Sequence, residues 1–182
     1  MTRLDEFIKL LVGNFDNAEQ FEQMKARGTV DFPYARHVNT VCNDKICGLP
    51  DDFAGYFMVE ESYYRTGDNT HASNHLFLFT EEPEGILLTS YETPAGCGRD
   101  FTYETLPALN YGELHPSEKF TPALYVLRDG VWEGGSESMF SPVLKFTLFE
   151  RFSATQLEVT ETMEVNGRRT FGYDVPILYQ RC

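Results

Sequence analysis

Leu4, Phe7, Ile8 and Leu11 recur at helical spacing, so the chain opens with an amphipathic helix. Thr2 with Asp5 has the form of a capping box, and Gly13 is placed to end the helix. Asp16 can cap a second helix, with Glu19 three residues on and a small apolar face of Phe21 and Met24. Beyond "ARGTVDFPYA" the pattern changes to short β-rich runs, from "RHVNTVC" and "GYFMVEESYYR" to "QLEVTETMEV" and "PILYQR". Turns such as "EEPEG", "RDG" and "VNG" separate them. Short consecutive strands without helices between them pair antiparallel, and eight to ten of them close into a barrel or fold as a sandwich.

The strand "YFMVEESYY" says most about the interior. One face carries Phe57, Val59, Glu61 and Tyr63; the other carries Tyr56, Met58, Glu60, Ser62 and Tyr64. Each face mixes apolar bulk with a carboxylate. That fits a barrel with a lined cavity, and equally a strand whose Glu60 or Glu61 ends in solvent. The first helix can close one end of a barrel or pack on its outside. The segment Thr93 to Pro122 is long and punctuated by Pro and Gly, as functional or mobile loops are. No repeat or domain boundary divides the chain, so residues 1–182 read as one domain, with a helical segment over 1–30 and a barrel over 35–182.

Composition narrows the partners. The 182 residues carry a net charge of −13, which disfavours nucleic acid and an anionic membrane surface. No apolar run is long enough to span a bilayer. The acids inside the first apolar run make it a structural helix and not a signal peptide, so a cytoplasmic location with reduced thiols is expected. Cys42 and Cys47 flank "NDKI" and can face each other across a hairpin, but one C-x4-C with no second pair is weak evidence for zinc. His37, His71, His75 and His115 show no metal spacing and read as surface or loop residues. There is no nucleophile elbow, P-loop or dinucleotide fingerprint.

Four segments, taken in order, resemble the CpcT/CpeT-type phycobiliprotein chromophore lyases. "GNFDNAEQF" is similar to a G-x-F-[SD]-N-x-x-Q segment at Gly13, Phe15, Asp16, Asn17 and Gln20. "FMVEESYY" is similar to F-x-V-E-Q-A-Y at Val59, Glu60 and Tyr63. "ILLTSYET" places Tyr91 on a family Tyr, and "FGYDVPILYQR" looks like the closing segment. Together they span nearly the whole chain. The comparable family strand often carries R-x-R-V where this chain has "SNHLFLF", with Ser73 or His75 at an Arg position.

The resemblance implies an antiparallel, lipocalin-like β-barrel with an N-terminal helical segment. It implies binding of a bilin (a linear tetrapyrrole) and its attachment to a cysteine of a phycobiliprotein subunit, with no metal or other cofactor required. Glu60 is then the catalytic candidate, pairing with protonated pyrrole nitrogens. Tyr63 and Tyr91 would line the ligand, Asp16 and Asn17 would shape the rim, and Tyr56 belongs to the same ligand-binding set. Arg36, Arg65, Arg128 and Arg151 are the cations available for the propionates. The alternatives are a non-catalytic barrel for another small amphipathic ligand and a solidly packed interaction module; a homodimer is compatible with each.

Overall fold

The structure, a computed structural model, describes residues 1–182. Helices α1 (Arg3–Leu11) and α2 (Ala18–Ala26) flank a short strand, β1 (Gly13–Asp16). Then come β2 (Tyr34–Val41), β3 (Ile46–Cys47), β4 (Tyr56–Thr66), β5 (Asn69–Glu82), β6 (Gly85–Tyr91), β7 (Leu109–Asn110) and β8 (Ala123–Arg128). The chain finishes with β9 (Val131–Met139), β10 (Leu144–Phe152), β11 (Gln156–Val165), β12 (Arg168–Phe171) and β13 (Ile177–Arg181). Ten strands follow the order β10-β9-β8-β6-β5-β4-β2-β1-β13-β11, and β10 pairs back onto β11. The result is a closed antiparallel barrel, as the short, turn-linked strands implied. β12 hangs as a hairpin on the far end of β11, and β3 with β7 forms a separate parallel pair.

The first helix forms as its pattern predicts. Thr2 Oγ1 accepts from Asp5 N at 3.1 Å and Asp5 Oδ2 accepts from Thr2 N at 2.7 Å, which completes the capping box. The helix ends at Gly13, whose φ of 134° lies in the region that favours glycine. Leu4, Phe7, Ile8 and Leu11 all point into one end of the barrel and close it. Phe7, with 0% exposure, meets the rings of Phe79, Tyr125, Trp132 and Phe152 at centroid distances of 5.4, 5.3, 5.1 and 4.8 Å. Arg181 caps the helix from the last strand, donating to Leu10 O at 2.8 Å and Val12 O at 2.6 Å.

The helical segment expected over 1–30 contains a barrel strand. β1 pairs with β2 and β13, and the register Phe15↔His37 and Phe15↔Arg181 puts Phe15 inside. Four residues are too few for a period-2 pattern to declare itself. No residue of α2 is buried. It is tied down by Gln20, which donates to Pro176 O and accepts from Leu178 N, both at 2.8 Å.

Most of the long segment Thr93–Pro122 lies against the outer wall, and its end turns in to put Phe120 in the lumen. Phe101, Leu106 and Leu109 join Phe57, Val59, Leu76 and Leu78 in a second core outside the barrel. Glu61 accepts from Tyr103 N at 3.1 Å, and Lys45 donates to Leu106 O at 3.0 Å. So both faces of β4 and β5 are covered, which explains why each face of "YFMVEESYY" carries apolar bulk.

The plug makes a measurable demand. Phe7→Ala should lower unfolding free energy by about 3–5 kcal/mol, the usual cost of truncating a fully buried aromatic. Urea denaturation followed by tryptophan fluorescence reads it, since Trp132 packs on Phe7. A loss below about 1 kcal/mol would mean the helix is not the plug.

Candidate functional site

Alternation along the strands decides what faces the lumen. The register of β2 on β4 and of β4 on β5 puts Asn39, Glu60 and His75 in one inward row, and His37, Ser62 and Ser73 in the next. From the opposite wall, β10 contributes Phe146, Leu148 and Glu150, and β11 contributes Glu161 and Met163. Above the α1 plug these side chains leave a cavity of about 520 Å³, lined by Tyr64, His71, Phe120, Phe140, Phe146, Phe171 and Tyr173 among others. It continues through His75, Phe120, Phe146 and Glu161 into a narrow floor of about 50 Å³ that reaches Leu11 of the plug. The floor gathers Glu60, Glu150, Glu161, His37 and His75. Neither Lys nor Arg lines the cavity or its floor.

Each ionisable group of the floor has a local partner. Ser62 Oγ donates to Glu60 Oε1 at 3.2 Å, and Tyr64 O–H donates to Glu161 Oε2 at 3.4 Å. Tyr125 O–H donates to Glu150. That last bond spans Gly134, which sits between Tyr125 on β8 and Glu150 on β10. A Cβ at Gly134 would collide with the Leu124 carbonyl, so β8 can approach only a glycine here. His37 Nε2 lies 3.0 Å from Tyr179 Oη and 3.4 Å from Tyr64 Oη, and Ser73 Oγ lies 2.9 Å from His75 Nε2.

Withdrawal from water sets the charges. Burial holds the Glu60 carboxyl well above its ordinary range, and the charges of Glu150 and Glu161 add to this. Glu150 is raised to about 7 by burial, opposed by the bond from Tyr125; Glu161 is raised for the same reason, opposed by Tyr64. Burial, aided by the charge of His75, lowers His37 to about 3, and burial alone lowers His75 to about 4. Both imidazoles are therefore neutral at pH 7. The 3.9 Å approach of His37 Nδ1 to Glu60 Oε2 is accordingly a contact of neutral imidazole with carboxyl and not an ion pair.

The residues singled out from sequence separate into inside and outside. Glu60 faces the lumen with 16% of its side chain exposed. Tyr63 and Tyr91 project from the outer wall: Tyr63 donates to Glu61 at 2.6 Å beneath the Arg36 guanidinium, and Tyr91 packs on Phe57. They cannot line a lumenal ligand, because one residue of register separates them from the inward row. Asp16 is also outside, accepting from Ala18 N at 3.0 Å at the start of α2. Asn17 is buried and clasps the chain, donating to Pro33 O at 3.0 Å and accepting from Ala35 N at 2.8 Å. Tyr56 points inward at the plugged end, where its O–H donates to Asp5 at 2.7 Å. Cys42, Cys47, Cys97 and Cys182 are free thiols.

Two histidines correct the sequence reading. His37 is 2% exposed and His75 reaches the floor, so neither is a surface or loop residue. Glu150 and Glu161 were missed outright. The signal was available: "FTLFERF" puts Glu150 on the same strand face as Phe146, Leu148 and Phe152, and "LEVTETM" puts Glu161 with Leu157, Val159 and Met163. A carboxylate among apolar residues on one strand face is the same mixture that marked both faces of "YFMVEESYY". No family model, curated protein or solved structure matches this chain.

The raised Glu150 carboxyl has a stability consequence of definite sign. A carboxyl whose folded pKa lies above its unfolded value favours folding while protonated, so this contribution is full below pH 4.5 and is lost as pH rises through about 7. The two histidines act oppositely, being lost as pH falls from 6.5 toward their lowered values. Glu150→Gln keeps the acceptor for Tyr125 and cannot ionise. It should match the wild type at pH 4.5 and exceed it by on the order of 3 kcal/mol at pH 8.5. Chemical denaturation at the two pH values measures this; a difference independent of pH would refute it.

Proposed function

We propose that this chain is a ligand-carrying barrel whose lumen holds a small amphipathic molecule, with an open-chain tetrapyrrole as the first candidate. The observation that carries the reading is the cavity of about 520 Å³ with aromatic walls and a polar floor. That volume falls in the range of ligand pockets, roughly 300–1,000 Å³. The candidate comes from the resemblance to the CpcT/CpeT-type lyases. In that reading the conjugated rings stack among Phe120, Phe140 and Phe146, and the pyrrole N–H groups meet Glu60 and Glu161. The propionates would leave through the mouth toward Lys119, whose Nζ lies 5.4 Å from the Phe140 ring centre. An acceptor thiol of a phycobiliprotein subunit would add its S and H across an exocyclic double bond, and the barrel's part is to hold the bilin in register.

A second reading, a carrier without chemistry, is favoured by one fact: no Lys or Arg lines the lumen to hold two propionates. Titration with biliverdin and phycocyanobilin separates the two. The lyase or chaperone reading expects a red-shifted, enhanced absorbance that Glu60→Gln weakens about tenfold or more, and a covalent adduct when a phycobiliprotein subunit is added. Binding without an adduct leaves the carrier. No spectral change with either bilin removes the tetrapyrrole, and native mass spectrometry of the purified protein then tests for another retained ligand.

A further inference from the structure

The wall around Glu60 presents acceptors with few donors. His37 Nε2 is occupied by the hydroxyls of Tyr179 and Tyr64, and Tyr64 gives its own proton to Glu161. Of the two neutral tautomers of His37, the one that donates Nε2–H toward the tyrosine hydroxyls leaves Nδ1 a bare lone pair, and this is the form a bound cation selects. His37 Nδ1 has no hydrogen-bond partner within the protein, although the residue is only 2% exposed, and it lies 3.9 Å from Glu60 Oε2. Two residues further along β2, Asn39 Oδ1 is also buried without a partner. Its Nδ2 donates to Leu11 O at 3.0 Å, which fixes the orientation of the amide. Asn39 is the cross-strand partner of Glu60. Two adjacent strands therefore offer an imidazole lone pair, an amide oxygen and a carboxyl, with Ser62 O–H as the one donor to Glu60.

Buried acceptors without donors are costly, because each has given up its water without a replacement. An anion would be repelled there. A neutral carbonyl or ether would add another acceptor. A group with several N–H donors and a positive charge answers the imidazole and the carboxyl at once. We propose that the floor of the lumen is a subsite for a protonated amine, held by His37 Nδ1 and by Glu60, whose carboxyl gives up its proton as the cation enters, with Asn39 Oδ1 buried at the paired position behind them and the apolar body of the ligand rising toward Phe120 and Phe146. This rests on the lumen being the binding site, and it narrows the ligand class to amphipathic molecules that carry their charge on an N–H donor. The absence of lining Lys and Arg agrees with that class, since no group of like charge opposes it.

Calorimetry with four probes of one aromatic shape tests the subsite: tryptamine, tryptophol, indoleacetic acid and N-acetyltryptamine. Tryptamine should bind at least about tenfold more tightly than the other three, and Glu60→Gln should remove that preference without lowering the thermal melt. N-acetyltryptamine removes the charge from the ligand, so the result does not depend on the variant folding. Equal or tighter binding of any of the three uncharged or anionic probes overturns the amine subsite and leaves lumenal binding standing. So does bilin binding without tryptamine binding. If neither the four probes nor the bilins bind, the amine subsite is overturned, and lumenal binding then stands or falls on whether native mass spectrometry finds a retained ligand.

Discussion

The nine-residue pairing of β10 with β11 is the constraint on which everything else depends. It turns a long antiparallel sheet into a closed wall, and closure divides every strand into residues that meet water and residues that cannot. Without it Glu150 and Glu161 would lie on an open face, solvated and ordinary. With it they stand across a narrow lumen from Glu60, His37 and His75, and burial moves all five pKa values.

The two ends of this lumen have opposite chemistry. One is filled by α1, whose Phe7 sits inside a ring of aromatic side chains and excludes solvent. The other stays open, walled by aromatic rings and edged by Ser and Thr hydroxyls. Between them lies a band of ionisable groups that a protein interior tolerates only when each has a partner. Most do: Tyr125, Tyr64 and Ser62 each donate to one of the three carboxyls. The gaps are confined to His37 Nδ1 and Asn39 Oδ1. Stability is thus supplied by the plug and by the second core under the long outer segment. The lumen can then hold polar groups that weaken the fold by themselves.

Local rules made much of this legible. The helix carries its own capping box and its own apolar stripe, and the strands carry turns between them, so helix, antiparallel pairing and barrel follow from neighbours in sequence. Glu60 was singled out by the resemblance, because alternation alone left Glu60 and Glu61 equally open to lumen and solvent. Tyr63 and Tyr91 were assigned to the ligand by the resemblance, yet their side of the strand depends on register, which the second core reveals. The mixed faces of β4 are ambiguous for the same reason: both are covered, so alternation loses its contrast.

What the sequence determined by itself was therefore the set of elements and a barrel or sandwich of antiparallel strands, with a carboxylate on each face of β4. Tertiary structure alone decided that α1 closes the barrel, that Thr93–Pro122 covers its outside, and which residues meet within it. His37, Glu60, Glu150 and Glu161 come from four strands separated by up to a hundred residues or more of chain. No local pattern encodes their meeting, because it is set by strand order and by the closure of β10 on β11, both of them non-local pairings.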